Sequence, residues 1–166
     1  MPAHDPALYD REAARIAKLK TQLVMIHPFW ASLLIQLTLI PTDELGPYIG
    51  ATDCVDRIWY NPVLTSPLSY RQLGFFLMHE CAHIAFEHST RREWRAHARW
   101  NQAADYAINL LVHDLREESP SITNLLPYEL IPNILYDEQF RNMPAEAIYP
   151  LLLKNPPTTK TQTKDR

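Results

Sequence analysis

Two histidines and a glutamate occur at the spacing His79-Glu80-x-x-His83 inside an otherwise apolar stretch. Residues four apart lie on one face of an α-helix, so the two imidazoles can point at a single metal ion. Glu80 stands beside them, where a carboxylate can polarise a water held by that ion. The pattern is typical of zinc metallopeptidases. It predicts that His79 and His83 bind Zn²⁺ and that Glu80 is the catalytic general base.

A second polar group follows on the next apolar stretch, where Asn101, Asp105 and Asn109 recur every four residues. Such a stripe on a buried helix needs polar partners, and a metal centre opposite it would supply them. A catalytic zinc usually has three protein ligands and one open position, so Asp105 is the predicted third ligand. Asn101 or Asn109 would then orient a ligand from behind. In the alternative, Asp105 only accepts a hydrogen bond from one of the histidines.

His88 is the rival third ligand, five residues after His83. If the helix continued, nine residues would place His88 about 180° away from His79, so it could reach the metal only if the helix breaks before it. His88 is therefore predicted at the helix end or behind the ligands. Cys81 would point about 200° away from both motif histidines, which argues against a closed site with four protein ligands.

Peptide-bond hydrolysis also needs a donor for the developing oxyanion. Tyr106, Tyr136 and Arg99 are candidates that the sequence does not rank. The loop-rich residues 116–135, which follow the second polar helix, could line a substrate pocket.

The bulk composition indicates one soluble domain with a real core. The chain has 166 residues, 46% of them hydrophobic, and a formal net charge of −3. That balance shows no basic footprint for nucleic acid, and no apolar run reaches the ~18 residues of a membrane span. The N-terminus lacks a signal-peptide pattern. Cys54 and Cys81 are predicted to be reduced thiols in a cytoplasmic protein.

Periodicity and turn residues predict an α+β fold, mostly helical, with a small sheet beside the motif helix. Residues 57–60 are the predicted edge strand that would offer its backbone to an extended substrate. Residues 1–153 would form one domain and residues 154–166 a disordered polar tail. The predicted elements are helices over 6–26, 69–88, 93–115 and 144–153, strands over 32–40 and 57–60, and a turn over 137–141.

Three motifs together resemble the zincin-like metallopeptidase domain of bacterial and phage proteins, which often precedes a von Willebrand factor A-type domain. They are the His79–His88 stretch, the pattern Trp100-Asn101-x-Ala103-x-Asp105-x-x-Ile108-Asn109, and the late segment from Leu130 to Tyr149. The likeness covers roughly residues 8–153. It implies a zincin-like fold, a bound zinc and hydrolysis of peptide bonds. It carries over His79, Glu80 and His83 directly and supports Asp105 as the acidic position.

The leading hypothesis is therefore a zinc peptidase that acts on a peptide or protein substrate. A second hypothesis has the same chemistry in a regulatory peptidase of phage or host that cleaves a repressor-type protein. A third is a catalytically inert, zinc-stabilised interaction module whose fourth ligand is His88 or Cys81. A regulatory partner protein would fit any of them.

Overall fold

The computed structural model describes residues 5–26, 28–115 and 129–154. These ranges are mostly helical, with one small sheet, as the predicted α+β class requires. None of their helices combines the length and hydropathy needed to cross a bilayer. The elements in chain order are α1 (Pro6–Ile26), α2 (Pro28–Gln36), β1 (Thr38–Pro41), β2 (Gly50–Thr52), β3 (Arg57–Tyr60), α3 (Pro62–Thr65), α4 (Tyr70–Ala85), α5 (His88–Arg91), α6 (His97–Leu115), a 3₁₀ turn (Glu138–Phe140) and α7 (Ala145–Lys154).

The sheet has the order β1-β3-β2, with β1 parallel and β2 antiparallel to β3. The prediction that residues 57–60 form an edge strand is therefore wrong, because β3 is central. β2 takes the edge beside α4, and a Cβ added at Gly50 would lie 2.2 Å from Cε2 of Phe76. A strand of three residues is too short to show an alternating pattern, so the sequence indicated only a connection there.

The predicted strand over residues 32–40 is wrong in its first half, since α2 extends to Gln36 and β1 begins at Thr38. Trp30 and Leu34 are 5% and 1% exposed, whereas Ile35 is 64% exposed. The burial thus follows a helical period, with residues four apart facing the core against α1. An apolar run of this length does not distinguish a buried helix from a strand by periodicity.

α4 begins with a capping box. The Ser69 hydroxyl accepts a hydrogen bond from the Gln72 backbone N–H, and the Gln72 side chain accepts one from the Ser69 backbone. Every residue from Leu73 to Ile84 is buried. The helix ends at Ala85, three residues before the predicted end, because Glu87 has a left-handed backbone with φ of 50°. The helix predicted from residue 93 begins at His97.

Two apolar clusters hold these elements together. The larger joins α1, α2, the sheet and α4, and the smaller joins α6 to the 3₁₀ turn and α7. α6 contributes Ile108 and Val112 to the first cluster and Trp100 and Leu110 to the second. The contact between α4 and α6 is where the polar residues of both helices meet. The predicted helices over 6–26 and 144–153 are confirmed to within one residue, whereas residues 155–166 of the predicted tail and residues 116–128 of the loop-rich segment lie outside the described ranges.

Candidate metal centre

Three ligand atoms converge between α4 and α6. His79 Nε2 lies 3.1 Å from His83 Nε2, and Asp105 Oδ1 lies 3.2 Å from His83 Nε2 and 3.5 Å from His79 Nε2. Two ligand atoms on a tetrahedral zinc ion, at the usual bond lengths, are separated by about 3.3 Å. The three residues are 4%, 1% and 2% exposed. This buried group could hold a metal ion.

The helices place these side chains by simple geometry. His79 and His83 are one turn apart on α4, and Asp105 lies on the face of α6 that packs against them. Burial alone would raise the pKa of Asp105, but hydrogen bonds with His79 and His83 bring that pKa below its ordinary value. The carboxylate is therefore ionised inside the protein, where a cation would compensate its charge.

His79 is oriented from behind by a chain of hydrogen bonds. Asn109 Nδ2 donates to the Leu135 carbonyl at 2.7 Å, so Asn109 Oδ1 faces His79 Nδ1, also at 2.7 Å. The amide oxygen can only accept, so His79 Nδ1 carries a proton and donates it to Asn109. The other ring nitrogen, Nε2, faces His83 and Asp105 and is the atom that could bind a metal ion.

His83 has a different partner at the same position. The left-handed backbone of Glu87 ends α4, and His88 folds back so that its Nδ1 lies 3.2 Å from His83 Nδ1. The indole N–H of Trp100 donates to the His88 carbonyl at 2.6 Å. Burial, with nearby His83 and Arg91, lowers the pKa of His88 to about 2, so the ring is neutral. His88 thus lies behind His83, on the side opposite the three converging ligand atoms.

Of the other predicted site residues, two lie buried on the helices of the metal group, and the described contacts of the rest are elsewhere. Glu80 and Asn101 are buried on α4 and α6, at 1% and 5% exposure. Tyr106 packs its ring on Phe140 in the smaller apolar cluster, with 4.8 Å between centroids. The Tyr136 hydroxyl donates to Glu138 at 2.7 Å.

Arg99 donates to Gln102 at 3.0 Å. The contacts described for Tyr106, Tyr136 and Arg99 lie outside the candidate metal centre. That one of them donates a hydrogen bond to the oxyanion stays a prediction. Cys81 is also outside the group, and burial raises the pKa of its thiol to about 12. Both cysteines are free thiols.

A short segment covers the centre. Ile131, Ile134 and Leu135, together with Phe75 and Phe76, line a cavity of about 20 Å³ at His79 and Asp105. That is room for about one water. The sequence indicated a pocket-lining role for this part of the chain, but the Leu135 carbonyl that holds Asn109 is a backbone group and has no sequence signal. A larger cavity of about 400 Å³ lies on the other side of His88, between Phe86, α6 and the start of α7.

The comparisons with known proteins agree with this centre. A family model described as "Putative metallopeptidase domain" matches residues 11–165, which include all the residues of the site. No curated protein and no solved structure matches the chain. Since the match covers nearly the whole sequence, the chain belongs to the family that carries this description.

Proposed function

We propose that the protein is a zinc-dependent peptidase with a zincin-like fold. His79 Nε2, His83 Nε2 and an Asp105 oxygen are the proposed ligands, and Glu80 is the general base. The observation that carries the proposal is the convergence of these three atoms at 3.1–3.5 Å in a fully buried group. Two imidazoles and one carboxylate are the donor set of many catalytic zinc sites, in which one position stays open.

The residues divide the work of hydrolysis. A bound zinc ion would lower the pKa of a water molecule and polarise the scissile carbonyl. Glu80 accepts a proton from the attacking water as the new C–O bond forms. It then delivers that proton to the amide nitrogen as the C–N bond breaks, so no net proton is gained or lost. Asp105 balances the charge of the ion, and Asn109 keeps His79 Nε2 directed at it.

The metal content of the purified protein tests the ligand set. We expect about one zinc ion per chain in the wild type and a large loss in both His83→Ala and Asp105→Ala. His113→Ala is the matched control, because His113 contacts Asp114 and Tyr136 rather than the metal group. Zinc retained in Asp105→Ala would demote Asp105 to a hydrogen-bond partner. A wild-type protein that takes up no zinc after reconstitution would contradict the proposal.

Glu80→Gln separates metal binding from catalysis. The amide is close in shape to the carboxylate but cannot accept the proton, so the variant should bind zinc normally and lose peptide cleavage. A panel of unstructured proteins and peptides would supply the assay. Full activity in Glu80→Gln would exclude the mechanism. Cleavage confined to one repressor-type protein would favour a regulatory peptidase over a general one.

One observation favours an inert zinc module instead. Ile131, Ile134 and Leu135 leave only about 20 Å³ at the centre, which is too little for a peptide. A peptidase must therefore displace this segment when it binds substrate, whereas a module need not. Zinc-loaded protein that cleaves nothing in the panel, with or without partner proteins from its source, would decide for the module.

A further inference from the structure

We propose that His88 is a positioning residue for the metal centre, acting through His83. Its Nδ1 accepts the Nδ1 proton of His83 and so keeps Nε2 of His83 as the nitrogen that faces the metal. This inference rests on the metal-binding half of the proposed function and does not depend on peptide hydrolysis. His88 itself does not touch the metal or a substrate.

The first argument is the geometry of the His83 ring. Its Nε2 lies 3.1 Å from His79 Nε2 and 3.2 Å from Asp105 Oδ1, inside the metal group. Its Nδ1 points away from that group, to His88 Nδ1 at 3.2 Å. A neutral imidazole that binds metal through Nε2 keeps a proton on Nδ1, and this proton needs an acceptor when it is buried. His83 is 1% exposed, and His88 provides the acceptor.

The second argument is the backbone conformation that puts His88 there. On a continuous helix, five residues would turn His88 about 140° away from His83. Instead, Glu87 adopts a φ of 50°, a left-handed backbone conformation that residues other than glycine rarely adopt. The chain reverses at this residue, and the Trp100 indole then ties down the His88 carbonyl at 2.6 Å. An unfavourable residue conformation is thus accommodated just where it brings His88 to His83.

The third argument is the parallel with His79, whose Nδ1 has an equivalent partner in Asn109. Both motif histidines therefore have a neutral acceptor within 3.2 Å of Nδ1. Hydrogen bonds of this kind behind a metal ligand set its tautomer and ring orientation, and their loss weakens metal binding about 10–100-fold.

A purely structural role for His88 and a role as hydrogen-bond acceptor predict opposite effects of two substitutions at this position. The ring is 2% exposed, stacks edge-on against Trp100 with 6.1 Å between centroids, and forms a wall of the 400 Å³ cavity. If it served only to pack, an apolar ring should replace it well and a small amide badly. If it serves as an acceptor, the order is reversed, because Asn carries an oxygen at the position of Nδ1 whereas Phe carries none.

The test compares His88→Phe and His88→Asn in the full chain. Zinc affinity is measured by competition with a chelator, and the unfolding temperature of the metal-free protein is measured in parallel. We expect His88→Phe to weaken zinc binding about 10–100-fold while the metal-free protein stays near wild-type stability. His88→Asn should lose stability but keep zinc affinity within a few-fold of wild type. His113→Phe controls for the loss of an imidazole elsewhere.

A second measurement needs no variant. Long-range ¹H–¹⁵N correlations of the zinc-loaded wild type report which nitrogen of each histidine carries the proton. We expect a proton on Nδ1 of His83 and an unprotonated Nδ1 on His88. The opposite tautomer of His83, or wild-type affinity in His88→Phe, would overturn the inference and leave the proposed metal site intact. A wild type that binds no zinc would overturn both.

Discussion

Between α4 and α6, each of the two motif histidines has a buried hydrogen-bond partner at its Nδ1. His79 and His83 direct Nε2 toward Asp105, and each has an acceptor behind it in Asn109 or His88. Buried polar groups are stable only when their hydrogen bonds are satisfied, so such a group is costly unless every member has its partner. The consequence is that substitution of a residue that never touches the metal should still change metal binding.

Asn109→Leu tests this at His79. The substitution keeps the branched shape of the side chain but leaves the His79 Nδ1 proton and the Leu135 carbonyl without their partner. We expect zinc affinity to fall about 10–100-fold and the free energy of unfolding to fall by about 1–3 kcal/mol. Chelator competition and urea denaturation measure the two effects. Gln102→Leu, on the same helix but outside the group, should change neither by much, and equal effects in both variants would contradict the argument.

The two cysteines differ in environment and should differ in reactivity. Cys81 is 0% exposed, and burial raises the pKa of its thiol to about 12, whereas Cys54 is half-buried. The thiolate is the reactive form, so Cys81 is both neutral and shielded at pH 8. We expect an aromatic disulfide reagent to titrate one thiol in the native protein and two after denaturation. Two fast native thiols would show that α4 opens readily.

At the scale of elements, the break between α4 and α5 sets the end of the helix that carries His79 and His83. Glu87 holds a left-handed backbone, its N–H bonds to the Ile84 carbonyl, and Arg91 then bonds to Glu146 of α7 at 2.9 Å. The segment after the break thus connects α4 to α7 and also turns His88 inward. The left-handed conformation at Glu87 costs a residue other than glycine about 1–2 kcal/mol.

Substitutions at Glu87 test the break directly. Glycine adopts the left-handed region without strain, so Glu87→Gly should stay within about 1 kcal/mol of wild-type stability and keep its zinc. Valine is β-branched and resists this backbone, so Glu87→Val should lose about 1–3 kcal/mol and part of its zinc affinity. Thermal unfolding with and without zinc measures both. Equal stability of the two variants would mean that the chain does not need the left-handed turn.

At the scale of the whole molecule, α6 is the shared element of the two apolar clusters, and the candidate metal centre lies where α6 meets α4. An ion held by both helices would join the larger cluster to the smaller one. Because it binds the folded chain and not the unfolded one, it should add to the free energy of unfolding of the entire domain.

Metal removal should therefore lower thermal stability. At free zinc 100-fold above its dissociation constant, the ion contributes about 2.7 kcal/mol, which corresponds to roughly 5–10 °C in Tm for a chain of this size. Differential scanning calorimetry before and after dialysis against a chelator measures the shift. His83→Ala should show none. An equal shift in His83→Ala would place the stabilising ion elsewhere.

The local parts of this arrangement follow from the sequence. His79 and His83 share a face because the spacing of four residues and the helical period are properties of the chain itself. The same period marks Asp105 with Asn101 and Asn109. The capping box at the start of α4 is also formed by residues close together in the chain, Ser69 and Gln72. The amphipathic helices α1 and α7 are equally local and were predicted to within a residue.

Only the tertiary structure decided the rest, because each remaining feature depends on contacts between distant residues. The apolar run before β1 became a helix because α1 offers a surface to pack on, and β3 became the central strand because β2 pairs with it. His88 reached His83 because the backbone turns at Glu87. The left-handed conformation of that turn favours glycine, but the sequence has glutamate there. The Leu135 carbonyl, 26 residues further along the chain, orients Asn109 so that its Oδ1 faces Nδ1 of His79.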